Sequence, residues 1–299
     1  MKQHIAFIGA GNMASAILGG LLRQGVSAAQ LQVVDPFEPA RERCASLGVA
    51  AHAVADPALA QADLVVWAVK PQVFAQAAQQ AAPHIGQALH LSVAAGITSD
   101  SIAGWLGSQR VVRAMPNTPA LVGLGQTGLY ARPSVTDADR AWVEQVLAAT
   151  GATLWVDNES LLDAVTALSG SGPAYFFYFI ESMVRAGQAM GLSLAQAKQL
   201  AIGTMAGAAE LAATSADSPA VLREKVTSKG GTTHAALTHM ENKKVGAYFE
   251  EALEKARLRA HELGSWVKSS AAEGWVGGVN ARRVESGCKV FCASDKTVS

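Results

Sequence analysis

Apolar positions follow two regimes along the chain. Up to about residue 157, short apolar runs of strand length recur: HIAFIG (4–9), LQVVD (31–35), DLVVWAV (63–69), LHLSV (89–93), RVVRAM (110–115) and TLWVD (153–157). Residues 12–23 place apolar side chains at helical spacing, and alanine-rich amphipathic stretches separate the later runs. Apolar runs without clean alternation, separated by helices, predict parallel strands buried on both faces. The first half is therefore expected to be an α/β unit, a doubly wound, mostly parallel sheet.

From Leu161 to about Leu263 the pattern reads as helices broken by small-residue loops: SGSGP (169–173), GLS (191–193), ATSADSP (213–219) and TSKGGTT (227–233). This predicts an all-α domain over 158–264, following an α/β domain over 1–157. Residues 265–299 lack clear periodicity and are rich in serine, glycine and charge. They are expected to form a disordered or loosely attached tail.

Composition narrows the function classes. A length of 299 residues suits two domains, and 50% hydrophobic with 16% charged residues suits a packed globular protein. The formal net charge is zero and no polybasic run occurs, which argues against nucleic acid or an anionic membrane as partner. No apolar stretch reaches the roughly 18–20 residues of a membrane span, and the N-terminus enters a strand pattern directly, with no secretory signal expected. The three cysteines, Cys44, Cys288 and Cys292, do not make a disulfide framework, so a cytoplasmic setting is expected. Cys288 and Cys292 alone do not complete a tetrahedral set, and no metal is expected. No HExxH pattern, Cys/His cluster or G-x-S-x-G elbow occurs.

The first chemistry-bearing motif is GAGNMA (9–14), after the first apolar run and opening a helix. Gly9, Gly11 and Ala14 fill the G-x-G-x-x-G/A positions of a dinucleotide loop. Gly9 permits the tight turn, Gly11 lets the backbone approach a pyrophosphate, and Ala14 lets the helix pack closely on the sheet. Asn12 and Met13 sit at the helix start, whose free N–H groups and positive dipole end suit a phosphate. Asp35 closes the next strand, where a carboxylate can accept from the ribose 2′-hydroxyl. This favours NADH over NADPH, while Arg41 and Arg43 offer partial accommodation of a 2′-phosphate. The cofactor expectation is thus NAD(P)H with a lean to NADH. Lys70 and Pro71, in AVKPQ (68–72), and Ala95, in AAGI (94–97), follow further strand ends, where ligands gather in such sheets. Asn117 and its flanking prolines in RAMPNTPA (113–120) look suited to fixing a loop near the nicotinamide. A solvated lysine and a purely structural turn are the plainer alternatives at Lys70 and Asn117.

Two further stretches have small-residue loops that open helices. SGSGPAY (169–175) sets Ser171 and Pro173 at a helix start, as cap, pocket wall, or both. VTSKGGTT (226–233) reads from spacing alone equally as a cap between helices or as an anion loop. His234 and His239 nearby are expected on the surface or in helix packing.

FIGAGNMA, AVKPQ, SVAAGI, RAMPNTPA, ALSGSGPAY and VTSKGGTT, in that order, resemble pyrroline-5-carboxylate reductase, the enzyme of the last step of proline synthesis. The resemblance covers about residues 4–263. It implies an N-terminal Rossmann domain, a C-terminal helical domain that dimerises, and higher assembly as a ring of dimers. It also implies an active site at the dimer interface that reduces a cyclic imino acid. Thr233 would face the imine nitrogen as hydrogen-bond donor, and Ser228, Gly230, Gly231 and Thr232 would hold the substrate carboxylate. Lys229 departs from the family's usual proline in this loop, implying a less rigid loop with an added positive charge. The residues beyond about 264 match nothing in the family. The rival expectations are another small-acid dehydrogenase on the same architecture and a non-catalytic nucleotide-binding protein.

Overall fold

The computed structural model describes residues 3–272. Cys288, Cys292 and the part of the expected tail from 273 onward lie outside the described residues. Eight strands form one sheet: β1 (Ile5–Ile8), β2 (Leu31–Val34), β3 (Ala50–His52), β4 (Leu64–Trp67), β5 (Leu89–Ser92), β6 (Val111–Met115), β7 (Gly125–Ala131) and β8 (Gly151–Trp155). Their order is β3-β2-β1-β4-β5-β6-β7-β8. The first six are parallel, β7 runs antiparallel to β6, and β8 is parallel to β7.

The doubly wound form follows from burial on both faces. In β1, Ile5 and Phe7 enter one core, with side chains from α1 (Asn12–Arg23), α2 (Glu38–Ser46) and, beyond the central strands, the later helix α5. Ala6 and Ile8 enter the other core, with α3 (Pro71–Ala81) and α4 (Ser99–Leu106). Helix α5 (Asp137–Leu147) adds Trp142, Val143 and Val146 to the first core. Each fully buried Ile, Leu or Phe contributes about 1.5–3 kcal/mol, so β1 is the spine of both layers.

Two strands escape the apolar-run criterion. The edge strand β3 is only Ala-Ala-His. In β7, GQTGLYA, two glycines and an exposed glutamine dilute the apolar signal of a strand paired on both edges.

After Trp155 every regular element among the described residues is helical. They are α6 (Leu161–Val165), α7 (Gly172–Ala189), α8 (Leu194–Thr214), α9 (Pro219–Lys225), α10 (Thr232–Asn242) and α11 (Val245–Ala272). SGSGP does not break the helices as its composition predicts. A π-turn over Thr166–Gly170 carries α6 into α7, with the Ser171 N–H donating to the Thr166 carbonyl at 2.8 Å. The wider turn spares the small residues a break, and Pro173 falls in the first turn of α7, where no amide donor is needed. Helix α11 also continues past the expected end of the domain at 264, as far as Ala272.

Helix α8 buries only Ala197 and Ala201, and the Gly187 backbone of α7 lies against Ala197. Phe176, Phe177, Tyr178, Leu194, Leu200 and Leu211 are left exposed on α7 and α8. So many exposed large apolar side chains on two packed helices mark an interaction surface.

Candidate active site

The expected nucleotide residues line one edge of the sheet, after the carboxyl ends of β1, β2, β4 and β5. The crevice between β1 and β4 is where the strand order reverses, the usual ligand position in such a sheet. Gly9 has φ +94°, and a Cβ there would sit 2.7 Å from the Ala68 carbonyl oxygen. Its lack of a side chain is therefore a requirement of the fold. Gly11 is different: its φ is −71° and a Cβ would meet no protein atom within 4 Å. Gly11 is also the N-cap of α1, with no side-chain cap. The start of α1 thus presents backbone donors beside open space, which fits a pyrophosphate. Asn12 is exposed, Met13 half-buried, and Ala14 is packed into the core.

Asp35 holds this loop in place. Its Oδ2 accepts from the Ala10 N–H at 2.7 Å and its Oδ1 from the Phe37 N–H at 2.8 Å. The side chain of Arg41 folds over the same corner, donating to the Asp35 and Pro36 carbonyls at 2.9 and 2.7 Å. Lys70 is exposed at the start of α3, and Pro71 is its first residue. Ala95 is exposed at the tip of the β5–α4 loop, next to Gly96.

Asn117 fixes its loop from the inside. It is buried, its Oδ1 accepts from the Gln126 N–H at 2.9 Å, and its Nδ2 donates to the Ser169 carbonyl at 3.1 Å. The amide ties the MPNTP loop to the π-turn. Asn117→Ala should therefore lower stability by about 1–3 kcal/mol through unsatisfied buried groups, with little change in cofactor affinity. Chemical unfolding and cofactor titration check both halves. Unchanged stability with lost cofactor affinity would restore Asn117 as a ligand. Ser171 caps α7 with no side-chain bond, and Ser171 and Pro173 lie just beyond this tether, half-buried.

The 226–233 stretch builds another helix start with a glycine at the N-cap. The Gly231 N–H donates to the Ser228 carbonyl at 3.0 Å, Gly230 has φ +74°, and Gly231 is the N-cap of α10 without a side-chain bond. Ser228, Lys229, Gly230 and Thr232 are exposed, and Gly231 and Thr233 are half-buried. Among the described residues no hydrogen bond engages the hydroxyls of Ser228, Thr232 or Thr233. Serine and threonine hydroxyls and the positive end of α10 lie within one short stretch, and this composition suits a carboxylate. The loop's own hydrogen bonds are all local and none joins it to the nucleotide edge. His234 and His239 are exposed. No cluster of three or more potential metal ligands occurs among the described residues.

One ionic group was missed from sequence. Glu159, just before α6, accepts from the Ser99 N–H at 2.6 Å, the Ser99 hydroxyl at 2.7 Å and Arg113 at 2.7 Å. The available signal was Arg113 itself, a charge inside the otherwise apolar VVRAM strand.

Residues 159–263 match the family model for pyrroline-5-carboxylate reductase dimerisation, and residues 4–96 match that for an NADP oxidoreductase, coenzyme F420-dependent. The chain is 47% identical over 264 residues to the pyrroline-5-carboxylate reductase of Pseudomonas aeruginosa, covering 87% of this chain and 96% of that protein. It is 40% identical to that of Haemophilus influenzae, covering 87% and 98%. Among solved structures, a pyrroline-5-carboxylate reductase from Coxiella burnetii superposes with a TM-score of 0.80 at 36% identity, covering 88% of this chain and 99% of that one. The Plasmodium falciparum enzyme with NADP bound superposes with a TM-score of 0.79 at 28% identity, covering 88% and 99%.

Proposed function

This chain belongs to the pyrroline-5-carboxylate reductase family, and on that premise we propose how its own residues reduce 1-pyrroline-5-carboxylate to proline. NAD(P)H, when bound, supplies the hydride. Gly9, Gly11 and the start of α1 take its pyrophosphate; Asp35, Lys70, Pro71 and Ala95 border the rest. The observation that carries the assignment of roles is the pair of helix starts with a glycine at the N-cap. One, at Gly11, faces open space on the sheet edge. The other, at Gly231, gathers unengaged threonine and serine hydroxyls.

At the second site the Gly230–Gly231 backbone and the start of α10 hold the substrate carboxylate, with Ser228 and Thr232 adding hydroxyl bonds. Thr233 donates to the imine nitrogen and so draws electron density from the carbon that accepts hydride. An unperturbed threonine is a very weak acid, so it polarises the nitrogen of the neutral imine, and the proton that completes the amine arrives through water. Ser171 and Pro173 form part of the pocket wall.

The chain forms a homo-oligomer. We propose that the pocket closes across two subunits, with α7 and α8 covered in the pair, and that the pairs assemble further into a ring. The lack of hydrogen bonds between the 226–233 loop and the nucleotide edge of the same chain supports this. We further propose that the folding units divide at 157/158, where the sheet has ended and the helices begin.

The lean to NADH stays a proposal and rests on the Asp35 carboxylate beside the ribose position. Arg41, folded on the same corner, is the side chain placed to meet a 2′-phosphate. Arg41→Ala should lower kcat/KM for NADPH by roughly tenfold, the worth of one charge-assisted bond, and leave NADH nearly unchanged. Equal losses for both cofactors would remove Arg41 from this role. A large advantage of NADPH over NADH in the unaltered chain would overturn the lean. Turnover of 1-pyrroline-5-carboxylate, measured beside hydroxy acids and prephenate, tests the function as a whole.

A further inference from the structure

We propose that Glu159 is a positioning residue for hydride transfer, holding the two loops beside the nicotinamide in register with the helical part of the chain. The inference rests on the reading that the 94–97 loop borders the nicotinamide.

Three observations carry it. First, Glu159 is the first residue of the stretch matching the dimerisation model, yet its carboxylate sits on the α/β unit. Second, one carboxylate serves both loops. Oε1 accepts from the Ser99 N–H at 2.6 Å and Oε2 from the Ser99 hydroxyl at 2.7 Å. Ser99 is the first residue of α4, so the carboxylate sits at the positive end of that helix and fixes the end of the 94–98 loop. Oε1 also accepts from Arg113 at 2.7 Å, and Arg113 lies two residues before Met115, where β6 delivers the MPNTP loop. Third, the arrangement is partly sheltered. Arg113 is buried, Gly96 lies against Gly264 of α11, and a cavity of about 210 Å³ between them is lined by Gly96, Thr98, Arg113, Glu159 and His261.

The physical consequence is specific. The Glu159 bonds reach the β5–α4 and β6 connections and do not reach Gly9–Ala14 or Asp35. Loosening them should misplace the nicotinamide end while leaving the adenosine end anchored. Hydride transfer is sensitive to such displacement, with about a hundredfold loss for a 1 Å error.

Glu159→Gln removes the charge facing Arg113 and the acceptor for the Ser99 hydroxyl. The expected result is a roughly ten- to hundredfold fall in kcat. The primary isotope effect with C4-deuterated cofactor should rise, because the chemical step becomes more limiting. Affinity for ADP or 2′,5′-ADP, which probe only the adenosine end, should match the unaltered protein. Ser99→Ala removes the hydroxyl leg, together with the hydroxyl's bond from Arg132 at 3.3 Å, keeps the Ser99 N–H and Arg113 legs, and should show the same signature at smaller amplitude; it decides the matter if Glu159→Gln fails to fold. Unaltered kcat and isotope effect in a folded Glu159→Gln, or parallel loss of ADP affinity in either variant, would overturn the proposal. Turnover by the unaltered chain in the same assay keeps this separate from the functional reading, which fails only if that turnover is absent.

Discussion

Thr233→Ala lowers kcat/KM for 1-pyrroline-5-carboxylate by roughly ten- to a thousandfold and leaves NAD(P)H affinity nearly unchanged. The range spans the loss of one polarising bond and the slowing of an assisted proton transfer. The structure supports a loss confined to catalysis. Thr233 is half-buried in the first turn of α10, and no protein group takes its hydroxyl. Alanine there keeps good helix propensity and leaves no partner unsatisfied. Its position is in the helical part of the chain, away from the Gly9–Ala14 loop, so cofactor binding has no reason to change. Thr233→Ser retains the hydroxyl and should recover much of the activity. Steady-state kinetics with cofactor titration check both variants beside the unaltered protein, and unaltered turnover in Thr233→Ala would remove the residue from the mechanism.

Gly11→Val should abolish cofactor binding by at least about a hundredfold while the fold stays intact. The two glycines of the loop make the case by contrast. Gly9 carries φ +94° and abuts the Ala68 carbonyl, so any side chain there strains the chain itself. Gly11 has φ −71° and no protein atom near its absent Cβ. No internal packing requirement keeps Gly11 small. A valine would project into the space that the pyrophosphate must approach and would stand off the free donors of α1. Circular dichroism and thermal unfolding should be close to those of the unaltered protein, while cofactor titration fails. A well-folded Gly11→Val that binds cofactor normally would place the pyrophosphate elsewhere.

The sequence was most readable where one local rule sets both residue and conformation. GAGNMA follows from a tight turn, a close approach and a helix start, all settled within six residues. The buried strands β1, β2, β4 and β5 were legible because their apolar runs face cores on both sides. Reading failed where partners lie far apart in sequence. Glycine-diluted β7 gains its stability from pairing with β6 and β8. The amide of Asn117 is used on Gln126 and on Ser169, the latter 52 positions away. Glu159 meets Ser99 and Arg113, which are 60 and 46 positions away. The bonds of Asp35 to Ala10 and Phe37 depend on the corner they close, which local spacing does not show. SGSGP carried the composition of a loop, but the Ser171–Thr166 backbone bond makes it a π-turn within a continuous helix. Lys229 is exposed, and nothing in the structure explains why it replaces the proline usual in this loop.

The most direct test is the fate of the hydride. The purified chain is given 1-pyrroline-5-carboxylate and NADH or NADPH deuterated at the transferable C4 position, and the product is read by mass spectrometry and NMR. The expected product is proline with one deuterium on its δ-carbon, formed in step with cofactor oxidation and formed more slowly by Thr233→Ala. Cofactor oxidation without deuterated proline, or no oxidation with either cofactor, would contradict the assignment.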